Sequence, residues 1–196
     1  MSGRGLRIGL LGGSFNPAHE GHLHISREAL RRLRLDQVWW LVSPGNPLKP
    51  AHGMGKFEDR WASAQALTKD ERRMKVTDLE TRLGTRYTAD TLRQLTQRNP
   101  RTCFIWLMGA DNLAQIPRWW KWTSIFHRVP VAVFARPTYA SRALSGAAAV
   151  RFARARVGER QAFHLANRTP PAWTFLFIRQ HTASATAIRA RGGFRT

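Results

Sequence analysis

Short apolar runs alternate with helically spaced segments along almost the whole chain, and this alternation leaves few folds open. Residues 7–12, 38–42 and 103–108 are apolar runs of strand length, and 74–79, 129–135 and 173–178 share that character. Between them, 20–35 repeats Leu23, Ala29, Leu30 and Leu33 at helical spacing. Residues 57–69 set Trp61, Ala64 and Leu67 on one face, and 88–97 end at an Asn99-Pro100 stop. The aromatic stretch 119–126 also reads as a helix, and 182–191 opens the last one. Residues 140–168 are rich in Ala and Arg, and are expected to form a loop or a helix lying across the surface. Strands joined by helices give a parallel sheet covered on both faces, a doubly wound α/β fold in one domain over 1–196. Such sheets bind ligands beyond the carboxyl ends of their strands. The turn-rich loops 12–19, 43–49, 109–112, 135–139 and 180–186 each follow a strand, so they should converge on one edge.

Composition narrows the function. The single cysteine, Cys103, excludes an internal disulfide framework and a cysteine-based zinc site, and a reducing cytoplasm is the simplest home. No run of about 18 apolar residues exists, so no membrane span is expected. Thirty-two Lys and Arg against 12 Asp and Glu give a formal charge of +20, which attracts polyanions or phosphorylated small molecules. Lysine occurs only at 49, 56, 69, 75 and 121, so an arginine-biased composition explains the surplus equally well.

The strongest local signal is Gly12-Gly13-Ser14-Phe15-Asn16-Pro17-Ala18-His19-Glu20-Gly21-His22. Glycine at a strand end lets a phosphate approach the backbone. The next helix begins with unpaired N–H groups and a positive dipole end. Two histidines flanking Gly21 can turn toward that anion, and imidazole N–H donors suit charge building on a transferring phosphoryl group. The dinucleotide pattern G-x-G-x-x-G is absent, and no Walker loop surrounds Gly55-Lys56. Near the other end, Ser184-Ala185-Thr186-Ala187-Ile188-Arg189 offers capping hydroxyls and, one turn on, a bidentate guanidinium.

Together these segments resemble the two signatures of the nucleotidyltransferase superfamily that carries the H-x-G-H motif, with Ala185 where Ser is common. Asn46-Pro47-Leu48-Lys49, Phe57, Arg60, Tyr87-Thr88-Ala89-Asp90-Thr91, Gly109-Ala110-Asp111-Asn112, Pro117-Arg118-Trp119-Trp120-Lys121-Trp122 and Arg136-Pro137 are similar to segments of bacterial nicotinate-nucleotide adenylyltransferases, in the same order. The resemblance implies a Rossmann-like sheet and transfer of AMP from ATP to nicotinate mononucleotide, giving deamido-NAD in NAD biosynthesis. It implies that His19, His22 and Arg189 are catalytic, with His22 on the α-phosphate. Gly12, Gly13, Ser14, Phe15, Lys49, Gly109, Asp111, Ser184 and Thr186 would bind ATP. Thr88, Trp119 and Arg136 would bind the mononucleotide, Trp119 by stacking on the pyridine ring. Mg2+ would come with ATP, and no protein metal site is expected. The family's chains usually run further past the arginine helix, so the last helix is expected to be short. Nicotinamide mononucleotide and phosphopantetheine are rival acceptors. Pantetheine enzymes usually carry Thr at the position of His19, which favours the pyridine nucleotides. A basic nucleic-acid-binding protein is the rival from another class, but it does not account for these spacings. Trp120 and Trp122 read as packing residues, and His24 as structural or exposed. The sequence leaves the oligomeric state open.

Overall fold

The computed structural model describes residues 5–45, 53–136, 138–179, 183 and 185–190, the side chains of 186, 187 and 190 excepted. Among these, one sheet contains β1 (Arg7–Gly13), β2 (Gln37–Val42), β3 (Met74–Thr77), β4 (Cys103–Gly109), β5 (Val131–Phe134), β6 (Arg156–Val157) and β7 (Trp173–Leu176). The order is β3-β2-β1-β4-β5-β7-β6, and every neighbouring pair is parallel. The helices are α1 (Glu20–Arg32), α2 (Phe57–Thr68), α3 (Leu79–Arg82), α4 (Thr88–Arg98), α5 (Ala110–Gln115), α6 (Trp122–Arg128), α7 (Ala140–Leu144), α8 (Ala147–Arg151) and α9 (Ala185–Ala190). The doubly wound parallel sheet expected from the alternation is therefore present.

Successive strand residues face opposite sides, so the sheet builds two cores. On one face Ile8, Leu10, Trp106, Met108, Val133 and Phe175 pack with Leu92 and Leu95 of α4, Leu113 of α5 and Phe126 of α6. On the other, Leu11, Trp40, Ile105, Leu107 and Phe134 pack with Leu23 and Ala29 of α1 and Ala64 of α2. Each large apolar side chain so buried contributes about 2 kcal/mol.

Four local expectations need correction. The third strand ends at Thr77, because the backbone turns at Asp78 into α3. Helix α6 starts at Trp122, not 119: Trp119 is extended and Lys121 has a left-handed φ of 47°, which no α-helix accommodates. Buried positions of α2 are Arg60, Ala64 and Thr68, so its inner face is rotated from the expected Trp61-Ala64-Leu67 stripe. Residues 140–168 form neither a plain loop nor a surface helix. Ala143, Ala148 and Phe152 bury on one face of the sheet, and Ala162, Leu165 and Ala166 of a 3-10 helix at 159–167 bury on the other. The two-residue strand β6 lies between them, so the segment wraps around the sheet edge. The elements are too short to show a period, and alanine lets them pack closely.

Glu80 on α3 is buried, and its carboxyl meets the hydroxyls of Ser43 and Thr91 rather than a cation. Burial pushes it up to about 7, against the opposing effect of those two hydrogen bonds. The folded chain therefore holds this proton more tightly than the unfolded chain from the ordinary carboxylate range up to pH 7, and the group's contribution to stability falls as pH rises through that window. The variant Glu80→Gln should gain on the parent by up to about 3 kcal/mol between pH 4.5 and pH 8. Urea unfolding of both proteins at the two pH values checks this; a stability difference that does not change with pH would contradict it.

Candidate active site

Strand order reverses between β1 and β4, which lie side by side. From their carboxyl ends the chain leaves to opposite faces, into α1 on one side and α5 on the other. Two connections diverging from adjacent strands open a crevice there, the general ligand position of such sheets.

The first wall is the turn from β1 to α1. Phe15 has a left-handed φ of 46° and its ring is 1% exposed. That ring stacks on Trp40 at 5.0 Å and lies 4.8 Å from the His22 ring. His19 is the N-cap of α1, and the two histidines complete a capping box. The Gly21 N–H donates to His19 Nδ1 at 3.1 Å, and the His19 N–H donates to His22 Nδ1 at 3.2 Å. Backbone amides can only donate, so each neutral imidazole must carry its proton on Nε2. The rings lie 3.9 Å apart. Burial holds His22 well below the ordinary histidine value, and a charge on His19, were it protonated, and the Arg136 guanidinium push it the same way. Gly21 is required here: a Cβ would stand 2.9 Å from the His19 ring and 3.1 Å from the Ala183 carbonyl oxygen.

That last contact brings in the far end of the chain. The Arg189 Nη1 donates to the Asn16 carbonyl at 2.5 Å, and the His24 Nε2 meets the Arg179 carbonyl at 2.6 Å. Arg189 thus sits against the turn that carries the histidines. The opposite wall holds Asp111 and Arg136, whose Oδ1 and Nε are 3.2 Å apart. A Cβ on Gly109 would strike Asp111 Oδ1 and stand 2.6 Å from Arg136 Nε. Arg136 is close enough to act electrostatically on His22 across the crevice.

Thr88 begins α4 and Trp119 precedes α6. Their neighbours Tyr87 and Trp120 touch ring to ring at 5.7 Å, which puts the two segments side by side. Trp119 packs partly against the core, and Trp122 packs on Phe126 and Phe152. Trp120 was expected to pack but is 53% exposed, because the chain turns outward before α6. Lys49, Ser184 and the Thr186 side chain lie outside the described residues.

The motifs assign no part to the Asn16 side chain and none to the burial of Arg60, whereas His24 is structural, as one of its two expected readings has it. The Asn16 side chain donates to the Gly53 carbonyl at 2.8 Å and accepts from the Gly55 N–H at 2.9 Å. Arg60 shares the buried face with Ala64 and Thr68, and that i, i+4, i+8 spacing is the one signal that could have exposed it.

A profile of cytidylyltransferase-like proteins matches residues 10–191. The chain belongs to that family. A relative from Gluconobacter oxydans is 54% identical over 190 residues, covering 97% of each chain. One from Parvibaculum lavamentivorans is 52% identical over 97% of this chain and 94% of its own. Both carry the name "probable nicotinate-nucleotide adenylyltransferase". Among solved structures, a Plasmodium falciparum nicotinic acid mononucleotide adenylyltransferase complexed with NaAD shares the fold at a TM-score of 0.71. It is 15% identical, over 94% of this chain and 83% of its own.

In this cytidylyltransferase-like chain the crevice offers two neutral imidazole N–H donors, a helix N-terminus and guanidinium groups, with no paired nucleophile and base among the described residues. Such a set neutralises and positions phosphates. Gly109→Ala should displace Asp111 and Arg136 by a fraction of an ångström or more, and lower kcat/KM by up to about 10²-fold with the fold retained. Steady-state kinetics with circular dichroism checks this; unchanged kcat/KM would remove the pair from the site. Long-range nitrogen–proton NMR at pH 7 should show His22 as the neutral Nε2–H tautomer, and a charged His22 would refute the assignment.

Proposed function

We propose that the chain transfers the adenylyl group of ATP to nicotinate mononucleotide, giving deamido-NAD and pyrophosphate in NAD biosynthesis. The observation that carries the chemistry is that Arg189, from the other end of the chain, donates to the Asn16 carbonyl of the same turn that carries the paired rings of His19 and His22. The identity above 50% to relatives named for this reaction, across nearly their whole length, supports the acceptor.

An oxygen of the acceptor's 5′-phosphate forms a bond to the α-phosphorus of ATP. The bond from that phosphorus to the bridging oxygen breaks, and pyrophosphate leaves with the electron pair. The acceptor is already an anion, so no enzyme nucleophile is needed. The protein brings two anions together and offsets their repulsion. His22 would donate from Nε2 to an α-phosphate oxygen, and His19 and Arg189 to the phosphates beside it. The amides of Gly12, Gly13, Ser14 and Phe15 would line the triphosphate, with Gly109 and Asp111 toward the nucleoside. Lys49, Ser184 and Thr186 complete the proposed ATP contacts. Thr88 and Trp119 would hold the pyridine end of the acceptor. Arg136, between the walls, would contact its phosphate.

Mg2+ would enter as part of the nucleotide substrate, held by phosphate oxygens and water. Among the described residues no group of three or more His, Cys, Asp or Glu is placed to hold a metal, and Asp111 is engaged by Arg136. The N–H donors of the crevice suit phosphate oxygens rather than a cation. We place the protein in the cytoplasm, consistent with a lone cysteine. Among the described residues no helix is long and apolar enough to cross a membrane.

A pyrophosphate-release assay with ATP and each acceptor should give the highest kcat/KM for nicotinate mononucleotide. Preference for nicotinamide mononucleotide or phosphopantetheine would overturn the acceptor. His22→Ala should lower kcat by roughly 10²–10³-fold with the fold intact, as loss of one preorganised donor does. Full activity in that variant would remove His22 from the mechanism.

A further inference from the structure

Arg60 is 1% exposed, yet among the described residues no carboxylate forms an ion pair with its guanidinium. All of its hydrogen bonds run to backbone carbonyls. Nη1 donates to Ser14 at 2.6 Å and to Ser43 at 2.8 Å, Nε to Gly55 at 3.0 Å and Nη2 to Pro44 at 3.4 Å. The acidic group that acts on it, Glu58, is exposed on the same helix. The Phe57 ring lies 5.5 Å from the guanidinium carbon, but the hydrogen bonds are those of carbonyls, and a buried cation holds them firmly because letting go would leave its N–H groups bare inside the protein.

Two of the four carbonyls decide how the turn after β1 is presented. The Ser43 N–H donates to the Gly13 carbonyl, the last rung of the β1–β2 ladder outside the strands. Continued by one step, a parallel ladder would have the Phe15 N–H donate to the Ser43 carbonyl. Arg60 takes that carbonyl instead. It also holds the Ser14 carbonyl, which shares a peptide plane with the Phe15 N–H. In a planar trans peptide the C=O and N–H point in opposite directions. Drawing the Ser14 oxygen toward Arg60 therefore aims the Phe15 N–H away from it, out of the sheet. Among the described residues the Phe15 N–H has no hydrogen-bond partner. The left-handed φ of Phe15 is a conformation that costs a non-glycine residue energy. The stacked Phe15 ring on one side and the Arg60 fork on the other hold it in place.

We propose that Arg60 is a positioning residue for the phosphate-binding turn, fixing the Ser14–Phe15 peptide so that the Phe15 amide donates to the triphosphate of ATP. This rests on the adenylyl-transfer reading above and adds the device that sets the turn. Lysine at position 60 keeps the charge but has no fork to span Ser14, Ser43 and Gly55 at once.

The test labels phenylalanine amides with nitrogen-15 and titrates the protein with a non-hydrolysable ATP analogue. In the parent the Phe15 amide should shift as the analogue binds. In Arg60→Lys that shift should be lost, and KM for ATP should rise about tenfold to a hundredfold, the effect of losing one hydrogen bond to a charged group. KM for the mononucleotide should stay within about twofold of the parent's, a split that general loosening of the fold would not produce. A parent Phe15 amide that ignores the analogue overturns the proposal, even if Arg60→Lys does not fold. So does a folded Arg60→Lys with the parent's KM for ATP. A parent that seats the analogue on Phe15, loses this in Arg60→Lys and releases no pyrophosphate with any acceptor sinks the transfer reading while supporting the role of Arg60.

Discussion

Every α-helix begins with N–H groups that its own ladder cannot pair, and in this protein two imidazoles pair them. The amides of His19 and Gly21 donate to the Nδ1 atoms of His22 and His19. A Ser or Thr cap would satisfy such donors equally well. An imidazole does something a hydroxyl cannot, because occupying one ring nitrogen fixes the proton on the other. Helix capping and the fixing of two outward N–H donors are thus one interaction. The sheet supplies the location, since α1 starts where β1 and β4 part.

The parts of this molecule that were legible in the sequence are those where local chemistry decides the outcome. Apolar runs such as 103–108 can hardly be anything but buried strands, and the Gly12–His22 constellation allows few geometries. Less legible were features set by partners distant in sequence. Lys121 adopts a left-handed conformation that no residue type announces, and it moves the start of α6 past Trp119 and Trp120. Residues 140–168 have no period to read because each element spans only a turn or two before the chain rounds the sheet edge. Arg60 counts as polar in any pattern, so a helix whose inner face includes it looks barely amphipathic. Its place became visible only with the four carbonyls in position.

The buried and half-buried polar groups near the crevice share a logic. Arg60, Asn16, Glu80 and Ser43 link the turn after β1, the end of β2, residues 53–55 and the start of α4. Apolar side chains of the same volume would pack with less desolvation cost. They would also leave the backbone of these turns without partners, since turns lack a ladder of their own. Strand residues need no such help, and the two apolar cores beneath them contain few polar side chains. Polar burial is concentrated where irregular backbone has to be held in one conformation.

The distribution of charge follows from the same division. Permanent positive charge is abundant on this chain, and Arg136 and Arg189 border the crevice. Yet His22, the group proposed to face the reacting phosphorus, is kept neutral by its burial, with Arg136 pushing the same way. A fixed cation at that point would bind the ground-state triphosphate tightly and gain little more as charge shifts in the transition state. A neutral N–H donor in a dry setting interacts weakly with the substrate and more strongly as negative charge builds on the oxygen it faces. On the adenylyl-transfer reading, the guanidinium groups at the rim would offset the repulsion between two anionic substrates. The imidazoles would then be left to respond to the change between ground state and transition state, a part that the permanent charge of lysine or arginine would not play.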